Sequence, residues 1–141
     1  MNLYAESSAL LSWLLGEPAA ESVSAALRSA EQVAVSDLGT LECERSILRG
    51  LVLGNLHRAA ADERLARLRG TAAKWHHLRI TPDLVERARH PFPGEPLRTL
   101  HALHLASALA VRARLPGIAI LSLDARIRRS AAELGFELHP A

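Results

Sequence analysis

The chain has 141 residues, a formal charge of +2 and an apolar fraction of 49%, enough for one domain over residues 1–141 to bury a core without disulfides or a structural metal. A single cysteine, Cys43, excludes an internal disulfide framework and a multi-cysteine zinc site, and suits a reducing cytoplasm. No apolar run approaches the ~20 residues that span a bilayer, and no basic stretch precedes the first apolar segment, so neither a membrane span nor a secretory signal is expected.

Taken in order, residues 2–6 form a short apolar run ending in an acid, the pattern of a strand. Ser7-Ser8 then offers an N-cap for an apolar helix over residues 9–15, which Gly16-Glu17-Pro18 closes. Residues 19–30 have helical spacing, with Val23, Ala26 and Leu27 on one side. Residues 32–35 are short and β-branched, hence a strand, and Ser36 or Asp37 can cap the long helix over 38–53. Gly50 and Gly54 loosen that helix at its end, and 56–70 form a second amphipathic helix paired with it.

A strand over 74–80 leads to Thr81-Pro82-Asp83, a helix start with proline at the first helical position. Residues 90–96 hold three prolines and a glycine and read as a loop. The strongest helix follows over 97–114, then a strand over 118–121 after Pro116-Gly117. Asp124 opens a helix to Leu134 with Gly135 as its C-cap, and 136–139 make a last strand. Strands alternating with helices predict a three-layer α/β/α sandwich around a short, mostly parallel sheet.

Polar side chains interrupt this apolar frame at or beside four apolar elements, near strand ends or helix starts: Glu6 in LYAESSALL, Glu42 in SDLGTLECE, His101 in RTLHALHLASAL and Asp124 in ILSLDARI. In open parallel sheets, ligands gather outside the carboxyl ends of the strands, where these residues should meet. Carboxylates gathered in one pocket repel unless a cation lies among them. Mg²⁺ or Mn²⁺ is the natural occupant, able to activate a water and stabilise charge on a scissile phosphate. Each acid also has a plainer reading: Glu6 as a helix-start acid, Asp124 as an N-cap, and Glu44, two residues from Glu42, as a partner for Arg45 or Arg49.

These four blocks, in order and wording, resemble the PIN domain of VapC-type toxin ribonucleases. The family pattern is aspartate, glutamate, aspartate, aspartate; here the first is Glu6 and the third is His101. The resemblance implies a metal-dependent single-strand endoribonuclease, the toxin of a type II toxin–antitoxin pair, acting in the cytoplasm. Glu6, Glu42 and Asp124 would hold the cation, His101 would stand in the fourth position, and Ser8 and Ser122 match small hydroxyl residues beside the metal. It also implies an RNA substrate, a cognate antitoxin and a homodimer, with contacts along residues 38–53 and 56–70. The changes at Glu6 and His101 leave an alternative open, a degenerate PIN domain that binds RNA or a partner without cleaving. One extra methylene at Glu6 moves its carboxylate by about 1 Å, a displacement that can cost ~10²-fold in rate.

Other candidates are weaker. The resemblance gives His104 as helix packing, adjacent His76-His77 lacks ligand spacing, and Cys43 reads as a buried small residue. Arginine supplies sixteen of the seventeen basic residues, a choice that serves phosphate contacts and carboxylate pairs alike. Two Phe, two Trp and one Tyr are too few for a base-stacking platform on a sheet.

Overall fold

A computed structural model describes residues 1–141. Its elements run β1 (Asn2–Ala5), α1 (Ser7–Leu15), α2 (Ala20–Ser29), β2 (Gln32–Ser36), α3 (Asp37–Val52), α4 (Arg58–Ala72), β3 (His76–Leu78), α5 (Pro82–Ala88), α6 (Thr99–Arg114), β4 (Ala119–Leu121), α7 (Ala125–Glu133) and β5 (Leu138–His139). Every strand pairing is parallel, in the order β3-β2-β1-β4-β5.

The period-two alternation of strands divides the apolar residues between two cores. Leu3, Ala5, Val33, Val35, Ala119 and Leu121 face one side and pack against Ala9, Leu10 and Leu14 of α1, Val23 of α2, Ile47 of α3 and Leu68 of α4. Tyr4, Ala34 and Ile120 face the other, against Leu84 of α5, Leu105 and Ala108 of α6, and Ile127 and Ala131 of α7. Four helices on one face and three on the other make the α/β/α sandwich. Both faces of β1 and β4 are covered, which is why these strands read as unbroken apolar runs.

Strand order reverses direction between β1 and β4. From β1 the chain steps outward to β2 and β3, then returns through α5 and α6 to β4 on the other flank. The Glu6 N–H donates to the Leu121 carbonyl at 2.9 Å, joining the carboxyl ends of these two strands. That crevice is where an open α/β sheet places its ligands.

Local differences from the sequence reading have local causes. The first helix is capped by Glu6 itself, whose carboxylate accepts the Ser8 N–H, so Ser7 and Ser8 lie inside α1. Ser36 is the cap of α3, accepting from the Gly39 N–H. Strand β3 is shorter than residues 74–80 because Lys74 and Trp75 finish the turn of α4, donating to Thr71 and Ala72. Helix α3 continues through Gly50 to Val52, and the missing side chain is used for packing: a Cβ there would lie 3.1 Å from Leu56 Cδ1. Gly16, in the left-handed region at φ 66°, ends α1 as read.

Candidate active site

Four segments of chain line a single open cleft of about 940 Å³ at the carboxyl edge of the sheet, among them Glu6, Ser8, Glu42, His101, His104 and Asp124. All four residues singled out in the sequence are in it. They form two hydrogen-bonded groups, and no three His, Cys, Asp or Glu side chains are arranged as a metal cage.

The first group centres on Glu6, which is 4% exposed. A carboxylate that buried must have its lone pairs satisfied. Its Oε1 accepts from Ser7 Oγ at 2.8 Å and from the Ser8 N–H at 3.0 Å. Its Oε2 accepts from Ser122 Oγ at 2.7 Å and from the Ser8 hydroxyl. Ser8 Oγ also accepts the Leu123 N–H at 2.9 Å, and Ser122 Oγ accepts the Asp124 N–H at 3.1 Å. Ser8 and Ser122 therefore tie β1 to the loop after β4. The single Ser7 hydroxyl hydrogen is shared with a second acid, since Ser7 Oγ lies 3.0 Å from Glu42 Oε1.

Glu42 sits in the second turn of α3, with its side chain 25% exposed. Its Oε1 also meets His104 Nε2 at 2.5 Å, and the same nitrogen is 3.8 Å from Glu6 Oε1. His104 Nδ1 lies 2.9 Å from the hydroxyl of Tyr4. Ser7, Tyr4 and His104 are thus members of the site that the sequence reading did not select. Their partners lie 35 to 100 residues away, and only the SS pair directly after Glu6 gave a local signal. Glu44, by contrast, faces away and pairs with Arg69 of α4 at 3.0 Å, a cross-helix bridge in place of the expected Arg45 or Arg49.

The second group joins α6 to α7. His101 Nδ1 accepts the Arg98 N–H at 3.3 Å, covering an open donor at the start of α6. Its Nε2 faces Asp124 Oδ2 at 3.2 Å. Asp124 caps α7, its Oδ1 accepting from the Arg126 and Ile127 N–H groups at 2.9 and 3.0 Å. Partial burial works to raise its carboxyl pKa, but the Ile127 N–H, the neighbouring His101 and the Arg126 N–H together hold it below the usual carboxylate value. The cap role and a site role coexist in one side chain, each using a different oxygen.

Cys43, next to Glu42, faces the core; burial first, then Glu42 and Glu6, push its thiol up to about 12, which disfavours the thiolate that a nucleophile needs. His76 and His77 lie on β3, away from this cleft.

With this geometry in view, comparison with known proteins decides the family. A family model for the PIN domain matches residues 3–133. The chain belongs to the PIN domain family. Among solved structures, the sarcin-ricin loop cleaving toxin VapC20 of Mycobacterium tuberculosis is similar with a TM-score of 0.64 at 18% identity, over 95% of each chain. PAE2754 of Pyrobaculum aerophilum is similar with a TM-score of 0.58 at 18% identity, over 98% of this chain and 83% of that one. No curated protein sequence matches. At this identity the structural likenesses concern the fold, and the PIN assignment rests on the family model.

Divalent cations fit this PIN site in chemistry more than in ready geometry. Three carboxylates are hard oxygen donors suited to Mg²⁺ or Mn²⁺, and Glu42 Oε2 makes no hydrogen bond. Both Glu6 oxygens are already saturated by donors from the protein, and both His101 nitrogens are engaged.

Proposed function

We propose that this PIN-domain protein is a ribonuclease and the toxin of a VapC-type toxin–antitoxin pair, cutting single-stranded segments of RNA with a divalent cation. One observation carries the reading: Glu6, Glu42, His101 and Asp124, spread over most of the chain, line the same cleft at the β1/β4 crevice. Glu6, Glu42 and Asp124 would hold Mg²⁺ or Mn²⁺, with His101 beside them. A cation bound there would lower the pKa of a water and offset charge developing on phosphate.

The chain's own part is positioning. Ser7, Ser8 and Ser122 fix Glu6, and the α7 cap fixes Asp124 on the opposite wall. Exposed Arg98 and Arg126 border the same cleft, where guanidinium groups can meet RNA phosphates. A cognate antitoxin would inhibit by covering this cleft, and a homodimer would use the exposed side of α3 and α4. The location is the cytoplasm, where the RNA is.

The second reading, binding without cleavage, is favoured by the His101 geometry. An imidazole that caps α6 and bonds Asp124 occupies a position where the family has a carboxylate. The two readings separate in one experiment, cleavage of structured RNAs with Mg²⁺ or Mn²⁺ by the native protein, Asp124→Ala and His101→Asp. Metal-dependent cutting by the native protein, lost in Asp124→Ala, is expected. Cutting by His101→Asp alone would assign the native chain to the binding-only class, and no cutting by any of the three would count against the nuclease.

A further inference from the structure

We infer that Tyr4 and His104 are a positioning pair that fixes the Glu42 carboxylate at the active-site cleft. The inference rests on Glu42 acting in that cleft, as proposed above, and starts from burial. His104 is 2% exposed and Tyr4 1%. An imidazole serving only as helix packing would be better replaced by leucine or methionine, because its two nitrogens cost free energy to dehydrate unless both are bonded. Here both are bonded, and in opposite directions. Nδ1 meets Tyr4 Oη at 2.9 Å inside the core, and Nε2 meets Glu42 Oε1 at 2.5 Å at the cleft.

The order of donors along this line follows from proton counting. Tyr4 has one hydrogen, and its hydroxyl meets His104 Nδ1 at 2.9 Å and Ser36 Oγ at 3.3 Å, with the Ser107 hydroxyl also beside it. The shorter contact and the better acceptor is the ring nitrogen. Ser36 Oγ lies farther off and already accepts the Gly39 N–H, so it competes less well for the Tyr4 hydrogen. With Tyr4 donating to Nδ1, neutral His104 must carry its hydrogen on Nε2 and give it to Glu42. The opposite tautomer would set a lone pair against a carboxylate. Tyr4 and Glu42 thus favour the same tautomer from opposite ends of the ring, as outer partners do for a histidine at many active sites. The two rings meet edge to face, at 66° with centroids 6.2 Å apart, which holds the imidazole plane.

The consequence falls on Glu42. Its flexible side chain is held through one oxygen by two anchors, His104 and Ser7, which leaves Oε2 without a protein partner. Catalytic groups work when their rotamers are locked by supporting hydrogen bonds, and displacement by about 1 Å can cost ~10²-fold in rate.

The test has a spectroscopic arm and a kinetic arm. Nitrogen-15 spectra of histidine-labelled protein, with His104 assigned by its loss in His104→Gln, should show a single Nε2–H tautomer for this ring in the native chain. In Tyr4→Phe, which keeps the ring packing, the Nδ1 resonance should shift as that nitrogen loses its donor. In RNA cleavage, Tyr4→Phe and His104→Ala should lower kcat by roughly 10- to 100-fold with KM within about twofold. His104→Gln, whose side-chain amide can still donate to Glu42, should recover part of it. A native Nδ1–H tautomer, a spectrum unchanged in Tyr4→Phe, or an unchanged kcat in folded His104→Ala would overturn the inference. If the native protein cuts no RNA, the nuclease reading fails, and the spectra still decide whether Tyr4 sets His104 toward Glu42.

Discussion

Asp124 shows how a single side chain can serve both the fold and the cleft, and how the two roles can be separated. As the N-cap of α7 it accepts two backbone N–H groups. Asparagine caps a helix about as well as aspartate, whereas alanine gives up about 1 kcal/mol. Asp124→Asn keeps the cap and loses only the carboxylate's electrostatic share, so it should unfold in urea slightly earlier than the native chain, and Asp124→Ala clearly earlier still. Both should lose RNA cleavage, so Asp124→Asn isolates the charge. The acid side carries a second expectation. Because the folded-state pKa of Asp124 lies below 3.8, the folded chain binds fewer protons here than the unfolded chain just under that value. This carboxylate's stabilisation is complete above 3.8 and is lost as pH falls through the lower folded value. Urea midpoints measured down through that range should fall less steeply for Asp124→Asn than for the native protein.

Between residue and domain, the arginines show what sequence reading could settle about elements and what it could not. Phosphate contact and carboxylate pairing were the two uses foreseen, and the fold adds a third. Arg112 donates to the Leu134 carbonyl at 2.7 Å and stacks 4.1 Å above the Phe136 ring. Arg67 reaches the Leu14 carbonyl at 2.8 Å. Arg128 donates through one nitrogen to the carbonyls of Ser122, at 2.8 Å, and His139, at 3.2 Å. Strand β5 is only Leu138–His139; the Ile120 and Ser122 N–H groups bond the Glu137 and His139 carbonyls, and this guanidinium adds to them beside the loop that carries Ser122 and Asp124. Replacing Arg128 by alanine should cost about 1–2 kcal/mol, the scale of part-buried hydrogen bonds to a charged group. Hydrogen exchange should show the loss concentrated in β5 and residues 122–124, and exchange unchanged in these segments would count against the role. Helices and strands were legible because their apolar periodicity is local. The uses of Arg67, Arg112 and Arg128 were not, because each acceptor belongs to another element. The same holds inside the cleft. Glu6, Glu42 and Asp124 stood out as acids near strand ends or helix starts, but the hydrogen bonds that divide the site into two groups join α1 to α3, α3 to α6 and α6 to α7.

At the scale of the whole molecule, the outer side of α3 is a surface feature that the folded chain itself leaves unexplained. Leu41, Leu48, Val52 and Leu53 are exposed by 55, 44, 75 and 59%. With Arg45 between them, positions 41, 45, 48 and 52 repeat at helical spacing, so the stripe runs along one face of the helix. The opposite face, with Cys43 and Ile47, is already in the core. Scattered exposed leucines are ordinary, but an aligned apolar stripe marks an association surface. A second copy of the chain is the partner that the proposed homodimer requires, and a two-fold axis beside the stripe would set α3 against its mate. Aspartate at Leu48 and Val52 together would place two like charges on each side of such an interface while leaving the core untouched. Sedimentation of the native protein should give a dimer and the double variant a monomer, with thermal unfolding of the variant confirming an intact fold. Because Leu48 and Val52 lie outside the cleft that holds Glu6 and Glu42, the monomeric variant should still cut RNA. A double variant that remains dimeric would remove α3 from the interface.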